Sequence, residues 1–258
     1  MTYIKTSLQG SLYHVTLNHP EKRNAMNSAM ISELTRAFTE APKEARMVLL
    51  RGNGASFCAG ADLEYMKSMA DYSYDENVED SNKLSEMFYS LVHCPLPIIA
   101  NIHGHAFGGA LGLVAASDVI FAHTETKFCF SEVKLGLAPA VISKLTMARI
   151  GYTNARRLFL TGEVFTAEEA LGMNLINFVY EDESGFEKQF DLIYNSITAG
   201  SASAQSKIKE MTTVLAGLHP QINLSEPEKI TYLAEVIAGL RTGTDGQKRM
   251  KAFLERKK

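Results

Sequence analysis

Four short, mostly apolar runs constrain the fold of this chain more than any other feature: Met47–Leu50, Ile98–Ile102, Val119–Ala122 and Phe128–Phe130. They lack the polar alternation of a half-exposed strand, and segments of helical spacing stand between them. This strand–helix–strand rhythm predicts an α/β core with strands covered on both faces. Ahead of them, Leu12–Leu17 reads as a strand that the turn residues Asn18-His19-Pro20-Glu21-Lys22 break. Met30, Ile31, Leu34, Phe38 and Ala41 then recur at helical spacing, and Met47–Leu50 runs into the loop Gly52-Asn53-Gly54. A second helix is predicted from about Asn77 to Val92, with Leu84, Phe88 and Leu91 on one face, closed by Pro95 and Pro97. Gly108–Ser117 reads as a buried helix of small residues.

From Thr153 onward the sequence turns helical. Thr166–Glu169 and Ser225–Glu228 each match the capping box, a hydroxyl answered three residues later by a carboxylate. Ile230, Leu233, Ile237 and Leu240 continue a helical stripe after the second. Gly200-Ser-Ala-Ser-Ala204 is the expected hinge, dividing a core at 1–199 from a helical region at 200–258. No internal repeat and no low-complexity tract is present.

Composition narrows the function classes. The 258 residues carry 26 Lys+Arg against 29 Asp+Glu, a net charge of −3, which gives no footprint for a nucleic-acid backbone or an anionic membrane. An apolar fraction of 46% with 21% charged residues excludes intrinsic disorder. The cysteines, Cys58, Cys94 and Cys129, are odd in number and form no CxxC pair, so reduced thiols in a cytoplasmic protein are expected. No signal-peptide core is expected at Met1–Lys5, and His103, His105 and several glycines break the most apolar stretch, so no membrane span is expected either.

Two glycine-centred segments carry the chemical interest: Ser56-Phe-Cys-Ala59-Gly60-Ala61-Asp62-Leu63 and Gly104-His-Ala-Phe-Gly108-Gly109-Ala-Leu-Gly112. Neither fits a phosphate-cradling GxGxxG or GxxxxGK[ST], and no GxSxG elbow is present. Such turns either pack closely or present backbone N–H groups, and two converging N–H groups make an oxyanion hole. A third segment places Glu132 at the end of an apolar strand before a Gly/Pro turn. There it is either a solvated strand-end residue or a carboxyl of raised pKa serving as general acid or base. His103 and His105 have no apparent third ligand, so they read as structural and no metal is expected. The acidic run Asp71–Asp80 reads as a solvated flexible segment or a helix start.

In order along the chain, Asn18–Asn27, Phe57–Leu63, Gly104–Gly112, Ser131–Gly136, Ala155–Gly162 and Ala167–Val179 resemble the enoyl-CoA hydratase/isomerase superfamily, the crotonases. The resemblance implies a spiral of ββα units followed by a helical trimerisation region, assembled as a trimer or a hexamer. It implies an oxyanion hole from the N–H groups of Ala61 and Gly109, holding the thioester oxygen of an acyl-CoA and stabilising an enolate. Ala59, Gly60, Ala61, Asp62 and Leu63 would run beside the CoA, with Lys22 or Arg23 meeting its phosphates. Tyr65 and Met66 would border the acyl pocket, and Gly108 would adjoin the hole. The acyl-CoA is substrate, and no separate cofactor is implied.

The chain departs from this pattern at one position. Well-known hydratases of the family use two glutamates; the second matches Glu132, and the first falls on Gly112, which has no side chain. The run Gly-Gly-Ala-Leu-Gly-Leu with Ser-Glu-Val-Lys-Leu-Gly-Leu-Ala-Pro-Ala-Val-Ile-Ser is similar to bacterial methylglutaconyl-CoA hydratases of leucine breakdown and their isohexenylglutaconyl relatives. The resulting expectation is a hydro-lyase acting on a branched 2-enoyl-CoA, with 3-methylglutaconyl-CoA first and Glu132 as the one acid/base. An enoyl-CoA isomerase, a dehydratase on a carrier-protein thioester in polyketide biosynthesis, and a non-catalytic scaffold are the alternatives. A cation for the terminal carboxylate would come from Lys67, Lys134 or Lys144.

Overall fold

A computed structural model describes residues 2–255. The chain opens with a hairpin of β1 (Ile4–Gln9) and β2 (Leu12–Leu17), turning through Gly10 at φ +58°. A short 3₁₀ turn (Pro20–Lys22) leads to α1 (Ser28–Thr39), whose N-cap Asn27 accepts the N–H of Met30. Then come β3 (Met47–Gly52), α2 (Leu63–Met69), α3 (Tyr74–His93), β4 (Ile98–Ile102), β5 (His105–Phe107) and α4 (Ala110–Ala116). They are followed by β6 (Val119–His123), β7 (Lys127–Cys129), a second 3₁₀ turn (Glu132–Leu135), α5 (Ala140–Thr161), β8 (Val164–Thr166), α6 (Ala167–Gly172) and β9 (Phe178–Tyr180). Four helices close the chain: α7 (Glu183–Ala199), α8 (Ala202–Leu215), α9 (Glu226–Thr242) and α10 (Thr244–Glu255).

The main sheet has six strands in the order β1-β2-β3-β4-β6-β9, antiparallel at β1/β2 and parallel elsewhere. A smaller sheet, β5-β7-β8, stands beside it. The apolar run of β3 shows why no alternation is visible in the sequence. Val48 and Leu50 face the principal core, with Leu34, Phe88 and Ile98. Met47 and Leu49 face the opposite side, with Ile99, Phe121, Tyr180 and Phe186 from α7. Both faces are dry, so every residue is apolar. The α/β architecture inferred from the sequence is the one observed.

Several boundaries differ from expectation. The α3 helix starts at Tyr74, because Ser73 and Glu76 form a capping box, so the acidic run is a helix start. The helical part begins at Ala140 rather than Thr153; Gly151, at φ +72°, interrupts α5 and masks its continuity in the sequence. Strands β8 and β9 are too short to leave a pattern, and β1 is exposed along all but its first residue. Both expected capping boxes are present.

The segment expected to be a hinge is held by bonds. Arg46 donates to the carbonyls of Ile197, Thr198 and Gly200, and Arg249 to those of Ala199 and Gly200. Lys209 of α8 reaches Asp118 at 2.6 Å and the Leu96 carbonyl at 2.9 Å. The three thiols are free and buried, and burial pushes that of Cys58 up to about 12. Among the described residues no helix is long and apolar enough to cross a membrane.

Candidate active site

The first glycine segment is laced to the turn before α1. Ala59 N–H donates to Arg23 O at 3.0 Å, Met26 N–H to Gly60 O at 2.7 Å, and Asp62 N–H to Met26 O at 2.8 Å. In this parallel bridge Met26 faces Ala61, and the bonds run through the Gly60 carbonyl and the Asp62 N–H. The intervening N–H of Ala61 therefore points the other way. Arg23 and Asn24 adopt positive φ to make the turn. Asn24, fully buried, holds it by accepting His19 N–H and donating to the carbonyls of Asn53 and Ser56.

The same segment runs along β5. Cys58 N–H donates to His105 O, and Phe107 N–H to Cys58 O. Gly60 comes so close that a Cβ there would lie 3.0 Å from the Phe107 carbonyl oxygen, and its φ is +98°. The second glycine segment leaves β5 at Gly108, whose N–H donates to Cys129 O of β7 at 2.8 Å. Gly109 is the N-cap of α4, and a Cβ on it would lie 2.8 Å from Met26 Cε. Met26 thus joins the two turns, pairing with Ala61 by its backbone and reaching Gly109 with its side chain. Among the described residues neither the Ala61 nor the Gly109 N–H has a backbone acceptor.

Glu132 stands beside Gly108, the residue before the Gly109 N–H. A Cβ on Gly108 would lie 3.5 Å from both Glu132 Oε1 and Ser131 Oγ. Glu132 Oε2 is buried and has no hydrogen-bond partner. Burial pushes its carboxyl above the usual carboxylate range, against the opposing pull of a backbone hydrogen bond. Unpaired N–H groups can polarise a carbonyl, and a partnerless carboxyl oxygen can move a proton next to it.

Other expected site residues fall as follows. Gly112, where the resemblance puts the family's first glutamate and which is counted among the expected substrate-binding residues, lies in packed apolar surroundings: a Cβ there would lie 2.5 Å from Phe88 Cε1, Phe88 Cζ and Ile142 Cγ2. Lys22, expected at the CoA phosphates, is paired with Asp62 at 2.9 Å and Glu64 at 2.8 Å. Arg23 is exposed and has no ion-pair partner among the described residues. Asp62 is buried and caps α2, accepting the N–H groups of Glu64 and Tyr65. Leu63 is 74% exposed, and the Tyr65 hydroxyl donates to Asp80. His103 and His105 are occupied by the Gly54 carbonyl and the Ser56 hydroxyl. Asn24 escaped the sequence reading; its one available signal was an asparagine directly following the Pro20–Arg23 turn.

Fold and site together define an α/β protein in which the turn at Gly108 and Gly109 stands next to the Glu132 carboxyl. The sequence profile of the enoyl-CoA hydratase/isomerase family matches residues 7–258. An enoyl-CoA hydratase from Shewanella pealeana superposes with a TM-score of 0.91 at 32% identity, covering 98% of this chain and 94% of that one. An enoyl-CoA hydratase/isomerase from Marinobacter aquaeolei superposes at 0.89 with 28% identity, covering 98% and 97%. The mitochondrial Delta(3,5)-Delta(2,4)-dienoyl-CoA isomerase of Homo sapiens is 30% identical over 264 residues, covering 98% of this chain and 79% of its own. The chain belongs to the enoyl-CoA hydratase/isomerase family.

Proposed function

We propose that this family member is a hydro-lyase adding water to a branched 2-enoyl-CoA, with 3-methylglutaconyl-CoA as first candidate. The observation that carries the reading is the buried, partnerless Oε2 of Glu132 beside Gly108. The Ala61 and Gly109 N–H groups bind the thioester oxygen. Glu132 takes a proton from water as the water oxygen bonds to C3, and the C2=C3 electrons move into the enolate that the two N–H groups hold. Glu132 then returns the proton to C2, so one carboxyl serves as base and acid in turn.

Ala59–Leu63 runs beside the CoA, Arg23 meets a phosphate, and Tyr65 borders the acyl group. The chemistry draws on the chain's own groups alone. Lys67, Lys134 and Lys144 are exposed and carry no ion pair among the described residues, leaving each available to a terminal carboxylate. Residues 1–199 form the catalytic core, and the helices from 200 onward join three copies.

Isomerisation of a 3-enoyl-CoA is the second reading. The apolar packing at Gly112 favours it, because a shuttle of one proton needs no second polar group to hold water. Incubation with 3-methylglutaconyl-CoA, crotonyl-CoA and a 3-enoyl-CoA separates the two. Loss of enoyl absorbance with a hydroxyacyl product supports hydration, and gain of conjugation from the 3-enoyl substrate alone overturns it.

A further inference from the structure

We infer that Lys22 and Asp62 form a clasp that positions the Ala61 N–H, making Lys22 a positioning residue rather than a phosphate ligand. The inference rests on reading Ala61 as an oxyanion donor. Ala61 lies between Gly60, whose carbonyl takes the Met26 N–H, and Asp62, whose own N–H goes to the Met26 carbonyl. The direction of the Ala61 N–H is therefore set by how firmly Asp62 is held.

Asp62 is held from two sides. Its Oδ1 accepts the N–H groups of Glu64 and Tyr65, fixing the first turn of α2. Its Oδ2 takes the Lys22 ammonium at 2.9 Å, and that ammonium also reaches Glu64 Oε2 at 2.8 Å. The Asp62 side chain is only 5% exposed, so its partner is not readily replaced by water. Lys22 ends the 3₁₀ turn that precedes Arg23, whose carbonyl takes the Ala59 N–H. One lysine thus ties the turn at 20–26 to the start of α2 across the donor. The two carboxylates more than offset the charge of this ammonium, whereas Arg23 beside it is exposed with no ion pair among the described residues.

The test uses the full chain as Lys22→Met, Lys22→Arg, Asp62→Asn and Arg23→Met variants. Amide hydrogen exchange is followed over residues 59–66, and kcat and KM are measured on an enoyl-CoA and on the N-acetylcysteamine thioester of the same acyl group, which has no phosphates. Lys22→Met and Asp62→Asn are expected to exchange about tenfold faster there and to lose about tenfold in kcat on both thioesters, as small misplacements of a donor do. Lys22→Arg, which keeps the pair, restores both, and Arg23→Met leaves the exchange as in wild type while raising KM on the CoA thioester alone. Unchanged exchange in Lys22→Met, with a KM penalty confined to the CoA thioester, overturns the clasp. A wild-type chain inert on both thioesters retires the hydratase reading instead, and the exchange measurement still decides the clasp.

Discussion

Glu132 is a carboxyl kept where ionisation is costly, and its two forms have different consequences. Glutamine keeps its shape without the proton transfer, so Glu132→Gln is expected to lose roughly 10²–10⁴ in kcat while acyl-CoA affinity, measured by calorimetry, stays near wild type. Near-wild-type turnover would remove Glu132 from the mechanism. The raised pKa also has a sign in stability. Between the ordinary carboxylate value and the raised folded value, the unfolded chain binds fewer protons at this group than the folded chain does. The group's stabilising contribution is thus full at low pH and is lost as pH rises through the folded value. Glutamine has no such proton to lose. The variant should therefore melt above wild type at neutral pH, with the gap closing near pH 4, as scanning calorimetry would show. A gap that widens on acidification would contradict the burial argument.

At the scale of elements, the contact of α3, α4 and α5 decides how many carboxylates the site can carry. A Cβ on Gly112 would lie 2.5 Å from Phe88 of α3 and Ile142 of α5, so those side chains would have to shift. Gly112→Glu is expected to cost about 1–3 kcal/mol and to lower kcat/KM on branched and linear enoyl-CoA alike. Gly112→Ala should cost less when Phe88 is also changed to Leu, a non-additivity that thermal melts of the two single variants and the double variant would measure. Gly112→Glu with raised activity would sink the argument. Signals confined to a few residues were legible in the sequence: the capping boxes at Thr166 and Ser225, the apolar runs of β3 and β4, and the small-residue turns around Gly60 and Gly108. The Ser73–Glu76 box was equally local but was masked by the acidic residues around it, and Gly151 split α5 in the reading as it does in the backbone. What could not be read were contacts between distant residues. Nothing in the sequence says that Lys22 meets Asp62, that Asn24 holds the turn of the site, or that Phe88 stands against Gly112.

For the molecule as a whole, the exposed stripe of α9 is the outstanding surface feature. Ile230, Leu233 and Ile237 lie open, with Met250 and Leu254 on α10. An apolar face of that extent on paired helices fits burial against further copies of the chain. Light scattering of the intact protein is expected to give a trimer or a multiple of it. Truncation after Ala199 should give aggregate or an unstable monomer, because it removes the stripe and also strips Asp118 of Lys209 and Arg46 of Gln205. A well-behaved, fully active monomer ending at Ala199 would overturn this.

For descent, the closed contact at Gly112 acts as a ratchet. A glutamate there needs both the aromatic ring of Phe88 and the Ile142 methyl to give way, since a Cβ at 112 would lie 2.5 Å from each. Losing the ring alone leaves a hole, which weakens the core before any new chemistry repays it. Neither step is rewarded by itself, so the one-carboxylate chain sits in a basin that selection on activity alone does not readily leave. A smaller residue at 88 opens only one side of the position, because Ile142 Cγ2 still closes the other.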